Sequence, residues 1–287
     1  MPTEMPVALV TGASRGAGRG IAIALGSHGA TVYVTGRSEK AGDHALPGTI
    51  YETAAAIDTA GGKGIAVRCD HADDAQVARL FEQIEAEQGK LDICVNNAAA
   101  IYDELTTPGN FWEKPLKLSD IINVGIRSSY VASWHAARMM VPRGEGLIAF
   151  TSASGAAHYV YGPGYGAHKA GQDKMAFDMG VDLADTGVTA VSIWMGALMT
   201  DRLQAVIDAD PDKYGYLVDI LETPGFTGHV LWAIWSDPKR DTYNGKTVIG
   251  AEVAKEYGFT DEGGKQPPSY RETHGVWPLQ QFDRVIR

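Results

Sequence analysis

The sequence contains two cysteines, Cys69 and Cys94, and they form no CxxC pair. Two such residues make no disulfide framework and read as small, buried side chains at strand ends. The opening MPTEMPVALVTG lacks a basic segment followed by a long apolar run, so no signal peptide is expected. No apolar stretch approaches the ~20 residues that a spanning helix needs. A cytoplasmic, reducing setting is the expectation. Positive charge is also short, with 25 Lys and Arg against 35 Asp and Glu, a net charge of −10. Such a surface repels phosphate backbones and anionic lipid, so neither nucleic acid nor membrane is expected as a partner. An anionic ligand would have to be held by a local site. The sequence carries no internal repeat, no low-complexity tract and no constellation that suggests a metal site.

What is present is a regular alternation of short β-branched runs with longer helical stretches. Strands are predicted at Val7–Val10, Thr31–Thr35, Gly64–Arg68, Leu91–Val95, Gly146–Thr151, Val188–Ile193 and Thr247–Ile249. Between them lie helices at Gly18–Ser27, Tyr51–Ala60, Asp73–Gln88, Ser119–Val141 and Tyr165–Asp185. After Thr200 the pattern is mixed, with helical stretches at Leu203–Ile207 and Gly228–Trp235. Near-continuous apolar strands separated by helices argue for βαβ units in a parallel sheet covered on both faces. The expected fold is α/β: a Rossmann-type, doubly wound parallel sheet in three α/β/α layers, forming a single domain over residues 1–260. Residues 261–287, rich in Gly, Pro and polar side chains, are expected as a loosely packed tail. Arg37–Ile50 and Ile101–Leu118 are long connections of the kind that often carry function.

The first strand runs into Thr11-Gly12-Ala13-Ser14-Arg15-Gly16-Ala17-Gly18, and a helix follows. Glycines at Gly12, Gly16 and Gly18 suit a sharp strand-to-helix turn whose backbone N–H groups approach a pyrophosphate. The helix amino terminus adds free donors and partial positive charge. An acid usually closes the second strand where NAD is bound, and none is here: the strand ends Thr35-Gly36-Arg37-Ser38. Arg37 stands where a 2′-phosphate would lie, and Arg15 is nearby in the glycine loop; guanidinium forks match phosphate geometry. NADP(H) is therefore expected over NAD(H).

Tyr165 and Lys169 are four residues apart at the start of a helix and share one face. A neighbouring ammonium favours phenolate, so Tyr165 could exchange a proton with an alcohol or carbonyl oxygen. Ser152 follows the fifth strand at the carboxyl edge, where open α/β sheets bind ligands, and could orient that oxygen. Asn123, in the long fourth helix, could hold a water linking Lys169 to solvent. Tyr102, His158, Tyr159, Tyr161, Trp194 and Leu198 are candidate walls of an aromatic, apolar substrate pocket. His168 reads as a solvated helix residue.

In this order the motifs resemble the short-chain dehydrogenase/reductase family, over roughly residues 5–250. Thr11–Gly18 is similar to its cofactor motif, Asn96-Asn97-Ala98-Ala99 to its NNAG, and Asn123, Ser152, Tyr165 and Lys169 to its catalytic tetrad. The resemblance implies that Gly12, Ser14, Arg15, Gly16, Gly18, Asn97, Ala98 and Lys169 hold the cofactor. It further implies that Asp70 contacts adenine, and that Gly196 and Thr200 lie by the nicotinamide. Met195 replaces a proline usual in the family, and Ala99 a glycine. TVYVTGR, FWEKP, INVGIRSSY, ARMMVP and GVTAVSIWMG resemble the family member 1 group of dehydrogenase/reductases. That likeness implies reduction of a bulky apolar ketone, aldehyde, quinone or steroid-like carbonyl by a homodimer or homotetramer. Two other activities are compatible with such a fold: a sugar-nucleotide epimerase or dehydratase, and a non-catalytic NADP-binding sensor. The intact tetrad counts against the sensor, and the GxxxGxG spacing against the epimerase.

Overall fold

The structure, a computed structural model, describes residues 5–286. Seven parallel strands form one sheet: β1 (Val7–Val10), β2 (Thr31–Gly36), β3 (Lys63–Arg68), β4 (Ile93–Asn96), β5 (Gly146–Ser152), β6 (Val188–Trp194) and β7 (Lys246–Ile249). Their spatial order is β3-β2-β1-β4-β5-β6-β7. The chain winds outward from β1 to β3, then crosses back to β4 beside β1. This reversal opens a crevice beyond the carboxyl ends of β1 and β4, where α/β sheets bind ligands.

Helices α1 (Gly16–Ser27), α2 (Ile50–Thr59), α3 (Asp74–Gln88), α4 (Ser128–Met140) and α5 (Pro163–Asp182) form the connections. They are followed by α6 (Asp201–Ala209), α7 (Pro211–Tyr214), α8 (Phe226–Ser236), α9 (Gly250–Tyr257) and α10 (Tyr270–Thr273). Successive residues of a strand point to opposite faces, and β1 shows the result. Ala8 and Val10 join Ile21, Leu25, Ile57, Phe226 and Val230 in one core. Val7 and Leu9 join Leu80, Ile84, Ala132, Ala136 and Ala176 in the other. Three α/β/α layers follow directly, as one domain.

Local chemistry sets the helix ends. Thr49 caps α2 by accepting from Glu52 N, and Asp73 caps α3 by accepting from Ala75 N and Gln76 N. Gly89 closes α3 in the left-handed region. Both cysteines are free and buried, and burial pushes their thiols up to about 12. No helix among the described residues is long and apolar enough to cross a membrane.

Two expectations need correction. The predicted Ser119–Val141 helix is not continuous. Ile122–Arg127 is π-helical, and the backbone leaves helical geometry at Val124 (φ −99°, ψ 87°) and Gly125 (φ 159°, ψ −75°) before α4 resumes at Ser128. Apolar periodicity is blind to such a break because Ile121 before it and Ala132 after it are both buried. Residues 261–276 are tied down further than their composition implies, while Trp277, Leu279, Phe282, Val285 and Ile286 are exposed. Asp261 is buried and accepts from the backbone N–H and the hydroxyl of Thr223, both at 2.6 Å. Tyr270 donates its phenol to Met195 O at 3.0 Å. Ser269 caps α10 in a capping box with Glu272. Polar bonds, together with Tyr270 and Val276 packed against Trp194, Ile249 and Ala251, hold residues 261–276 to the body.

Candidate active site

The glycine turn is braced from behind by the loop after β4. Thr11 Oγ1 accepts from the backbone N–H groups of Asn97 and Ala98, both at 2.9 Å. Asn97 Nδ2 donates to Thr11 O at 2.8 Å and to Gly12 O at 3.0 Å. The packing requires glycine. A Cβ on Gly12 would stand 2.7 Å from Ala98 Cα, and one on Gly18 would stand 2.4 Å from Asn97 Nδ2. Asn97 and Ala98 thus shape the turn. Ser14 is buried beneath it.

Gly16 differs from its neighbours. A Cβ there would point into space, with Thr200 Cγ2 as its nearest neighbour at 3.8 Å. The first turn of α1 carries no acid and no side-chain cap, so its leading N–H groups are left for a ligand. Open space and uncapped donors together fit the diphosphate of a dinucleotide. Thr200 itself caps α6, accepting from Leu203 N at 3.3 Å.

Arg15 and Arg37 take different positions. Arg15 donates to Ser38 Oγ at 2.8 Å, Gly48 O at 2.7 Å and Pro47 O at 3.0 Å, fastening the Arg37–Ile50 loop to the glycine turn. Burial and then the charge of Arg37 push its guanidinium pKa down. Arg37 is exposed, with no hydrogen bond or ion pair among the described residues. Asp70 lies just past β3 and accepts from Ala72 N.

Tyr165 and Lys169 occupy the first turns of α5. Lys169 Nζ is 5.6 Å from the centre of the Tyr165 ring, donates to Thr151 O at 2.7 Å, and lies 3.4 Å from Gln172 Oε1. The ring packs close to Gly155, where a Cβ would stand 2.8 Å from Tyr165 Cε1. Tyr161 crosses the ring edge-on at 5.3 Å. Burial pushes the phenol pKa upward, with Tyr270 and Tyr161 adding to the effect. Burial pushes the Lys169 ammonium down to about 8, opposed by the charge of Asp173. The sequence argument expects the ammonium to lower the phenol; in the chain alone, desolvation wins and Tyr165 stays protonated.

Neither Ser152 nor Asn123 hydrogen-bonds the phenol among the described residues. The Ser152 hydroxyl is buried, and its one proton is shared between two acceptors, Lys169 O at 3.2 Å and the Asp173 carboxylate. Asn123 is exposed on the π-helical segment ahead of the break. His168, expected in solvent, is 1% exposed beside Lys169.

Several residues that sequence reasoning passed over support the site. Asp173 accepts from Ser192 Oγ at 2.6 Å and Trp194 Nε1 at 2.8 Å. Trp194 is therefore a core residue and not a pocket wall. The i,i+4 spacing from Lys169 to Asp173 was the available signal. Glu222 is buried and accepts from Gly196 N at 2.9 Å, fixing the turn after β6. Burial pushes its carboxyl up to about 8, and nearby Asp261 acts in the same direction. Ser154 bonds His158 Nε2 at 3.0 Å and also bonds Tyr270. Nothing local in the sequence marks Glu222 or Tyr270, since their partners come from distant segments.

Beside Tyr165 lies a pocket of about 220 Å³, walled by Leu105, Phe111, Leu118, Tyr159 and Tyr161. Two of the six expected pocket residues, Tyr159 and Tyr161, line it. Tyr102 turns away, donating to Asp120 at 2.7 Å, and Leu198 bridges to Glu222.

Comparison with known proteins places this arrangement among others. The family model described as short chain dehydrogenase matches residues 6–211. Dehydrogenase/reductase SDR family member 1 of Mus musculus is 36% identical over 280 residues, covering 94% of this chain and 87% of that protein. The Homo sapiens protein of the same name gives the same figures. A 3beta-hydroxysteroid dehydrogenase of Mediterraneibacter gnavus is 30% identical over 190 residues, covering 65% of this chain and 64% of its own length. Among solved structures, a short chain dehydrogenase from Mycobacterium thermoresistibile superposes with a TM-score of 0.76 at 27% identity, covering 92% of each chain.

Proposed function

The chain belongs to the short-chain dehydrogenase/reductase family, and on that premise we propose that it is an NADP(H)-dependent oxidoreductase acting on a bulky apolar carbonyl or alcohol. The observation that carries this reading is the placement of Tyr165: a protonated phenol beside a buried ammonium, at the wall of an apolar pocket. A nicotinamide dinucleotide, when bound, supplies or accepts the hydride. The chain's own residues handle the proton and the positioning.

Tyr165 donates its phenol proton to the substrate oxygen as the carbonyl is reduced, and takes it back when an alcohol is oxidised. Lys169, held by Thr151 O, places positive charge beside the phenol, which stabilises the phenolate left after donation. Ser152 serves the substrate oxygen by rotating its hydroxyl away from Lys169 O. Gly12, Gly16 and Gly18 with the α1 terminus hold the diphosphate, Asp70 the adenine, and Gly196 and Thr200 the carboxamide side. Asn97 and Ala98 keep the turn open for it.

The preference for NADP(H) over NAD(H) is supported by charge. No acid closes β2, and Arg37 is exposed with no protein partner among the described residues. An unpartnered guanidinium at the end of β2 suits a 2′-phosphate. The apolar lining supports a ketone, aldehyde, quinone or steroid-like substrate, and the steroid dehydrogenase relative leans the same way. Tyr130 and Trp134 are large, exposed side chains on α4, and we read that face as the contact of a homodimer or homotetramer. A cytoplasmic setting remains our expectation.

The test is cofactor oxidation, NADPH against NADH, over a diverse carbonyl panel. Turnover of apolar ketones with NADPH is expected, with at least a ~10³-fold loss in Tyr165→Phe. Turnover only of small charged keto acids, or full activity in Tyr165→Phe, overturns the reading.

A further inference from the structure

The pocket beside Tyr165 is walled mostly by apolar and aromatic side chains, yet a lysine stands among them. Lys114 is the only charged residue lining the cavity among the described residues. Its ammonium has three N–H donors, and one goes to the backbone oxygen of Leu105, another wall residue, at 2.9 Å. No acid is bonded to it.

The acids of the surrounding loop are all engaged elsewhere. Asp103 pairs with Arg202 at 3.0 Å, and Glu104 pairs with Lys117 at 2.6 Å. Glu113, adjacent in sequence, accepts from Asn110 N at 2.8 Å, and Asp120 accepts from the Tyr102 phenol at 2.7 Å. The contrast with Lys117 is direct: that lysine has its carboxylate and also lies 5.0 Å from the centre of the Tyr102 ring. Lys114 is half-buried with its charge unmatched. A cation held against apolar walls loses hydration and favours any anion that can enter beside it. A single bond to a backbone oxygen does not require a charge.

The opposite wall is rigid. Tyr161, which crosses the Tyr165 ring, holds φ at 60°, and Gly162 follows at 115°. A side-chain-bearing residue in the left-handed region is uncommon and persists where its surroundings fix it. The cavity therefore has a fixed aromatic wall at the phenol and a lysine stem ending in an unpaired ammonium elsewhere on its lining.

We propose that Lys114 is a specificity-determining residue that receives a carboxylate, so that the substrate is an amphipathic oxo or hydroxy acid with an apolar body between its reacting carbon and its charged end. The inference rests on the reading of Tyr165 as the proton donor of this pocket, and it narrows the substrate class of that reading. A monoanion fits better than a phosphate. One ammonium offsets one charge, the lining holds no guanidinium fork, and a dianion would be repelled by Glu104 and Glu113 of the same loop.

The test measures NADPH oxidation by the full-length protein with ω-oxo carboxylic acids and their methyl esters, matched in chain length. The readout is the acid-to-ester ratio of kcat/KM, in which a general loss of folding or activity cancels. Wild type is expected to favour the acid at least about tenfold, in line with a hydrogen bond to a charged group. Lys114→Gln keeps a donor for Leu105 O and removes the charge, and is expected to bring the ratio to about one. A smaller preference in wild type, or a preference that survives in Lys114→Gln, overturns the proposal. If Lys114→Gln does not fold, the salt dependence of the wild-type ratio replaces it: the preference is expected to fall in concentrated salt, and a salt-independent ratio overturns the proposal. If neither probe turns over, calorimetry with a saturated fatty acid and its methyl ester decides. Tighter binding of the acid in wild type, lost in Lys114→Gln, supports the proposal; equal binding of acid and ester overturns it. Full activity in Tyr165→Phe would instead sink the functional reading and leave this binding result standing.

Discussion

Replacing Asp173 by alanine tests the packing that holds the site. The carboxylate sits on α5 one turn after Lys169 and is 8% exposed. Its two oxygens accept from Ser192 Oγ at 2.6 Å and Trp194 Nε1 at 2.8 Å, so it pins α5 to β6. In Asp173→Ala the indole N–H is left unpaired in a site that is 0% exposed. Each unsatisfied buried group costs about 1–3 kcal/mol. The Ser192 hydroxyl adds a smaller penalty because it can rotate, and the emptied volume adds a cavity cost. Lys169 also loses the charge that opposes its desolvation. Together these come to about 4 kcal/mol, or roughly 10 °C in Tm for a chain of this size. Asp173→Asn supplies the comparison. Its amide oxygen can accept from Trp194, and its NH2 can donate to the Ser192 oxygen, so the shape and both bonds survive and about 1 kcal/mol is lost. The assay is thermal unfolding of both variants, with near-ultraviolet circular dichroism of Trp194 as a local probe. A Tm for Asp173→Ala within 2 °C of wild type, or equal losses in both variants, would show that these two bonds do not anchor α5 (the ~2 °C bound is set well below the expected shift).

Four further outcomes are expected. Lys169 is pushed down to about 8 by burial, so its ammonium is lost as pH rises through that value, and the basic limb of kcat/KM for carbonyl reduction should begin there. Removing the Asp173 charge removes what holds that pKa up, so Asp173→Asn should move the limb to lower pH; a pH–rate series placing it higher contradicts the assignment. Arg37→Ala should raise KM for NADPH about 10- to 100-fold and leave KM for NADH within about threefold, as expected for loss of a charge-assisted fork; equal effects on both cofactors would remove Arg37 from the 2′-phosphate site. Gly18→Ala puts a methyl 2.4 Å from Asn97 Nδ2 and 2.5 Å from Gly12 O, and dinucleotide affinity measured by calorimetry should fall at least ~10-fold as the turn is displaced. Tyr270→Phe removes the bond to Met195 O; a loss of about 1 kcal/mol in chemical unfolding is expected, and no change would mean that the tail is not fastened by its phenol.

Much of the site was legible because it is local. The glycine turn between β1 and α1, the absent acid after β2, and the four-residue step from Tyr165 to Lys169 are fixed by spacing along one chain segment. So is the sheet, since near-continuous apolar runs mark strands covered on both faces and period-3.6 patterns say which face each helix buries. Element ends were read less well: α5 begins at Pro163 and not at Tyr165, because proline suits a first helical position.

What the amino-acid sequence determined by itself was the parallel α/β sheet, the phosphate-binding turn and the tyrosine–lysine pair, each written in contiguous residues whose geometry follows from backbone periodicity. Tertiary structure alone decided that His168 is buried against the helix break. Two non-helical residues at Val124 and Gly125 leave Asn123 in solvent and open a space that His168 fills. It also decided that Glu222 holds the Gly196 turn and that Tyr270 reaches Met195, across separations of 26 and 75 residues. Contacts of that kind depend on where the chain returns in space, and no repeat or spacing along it carries that information.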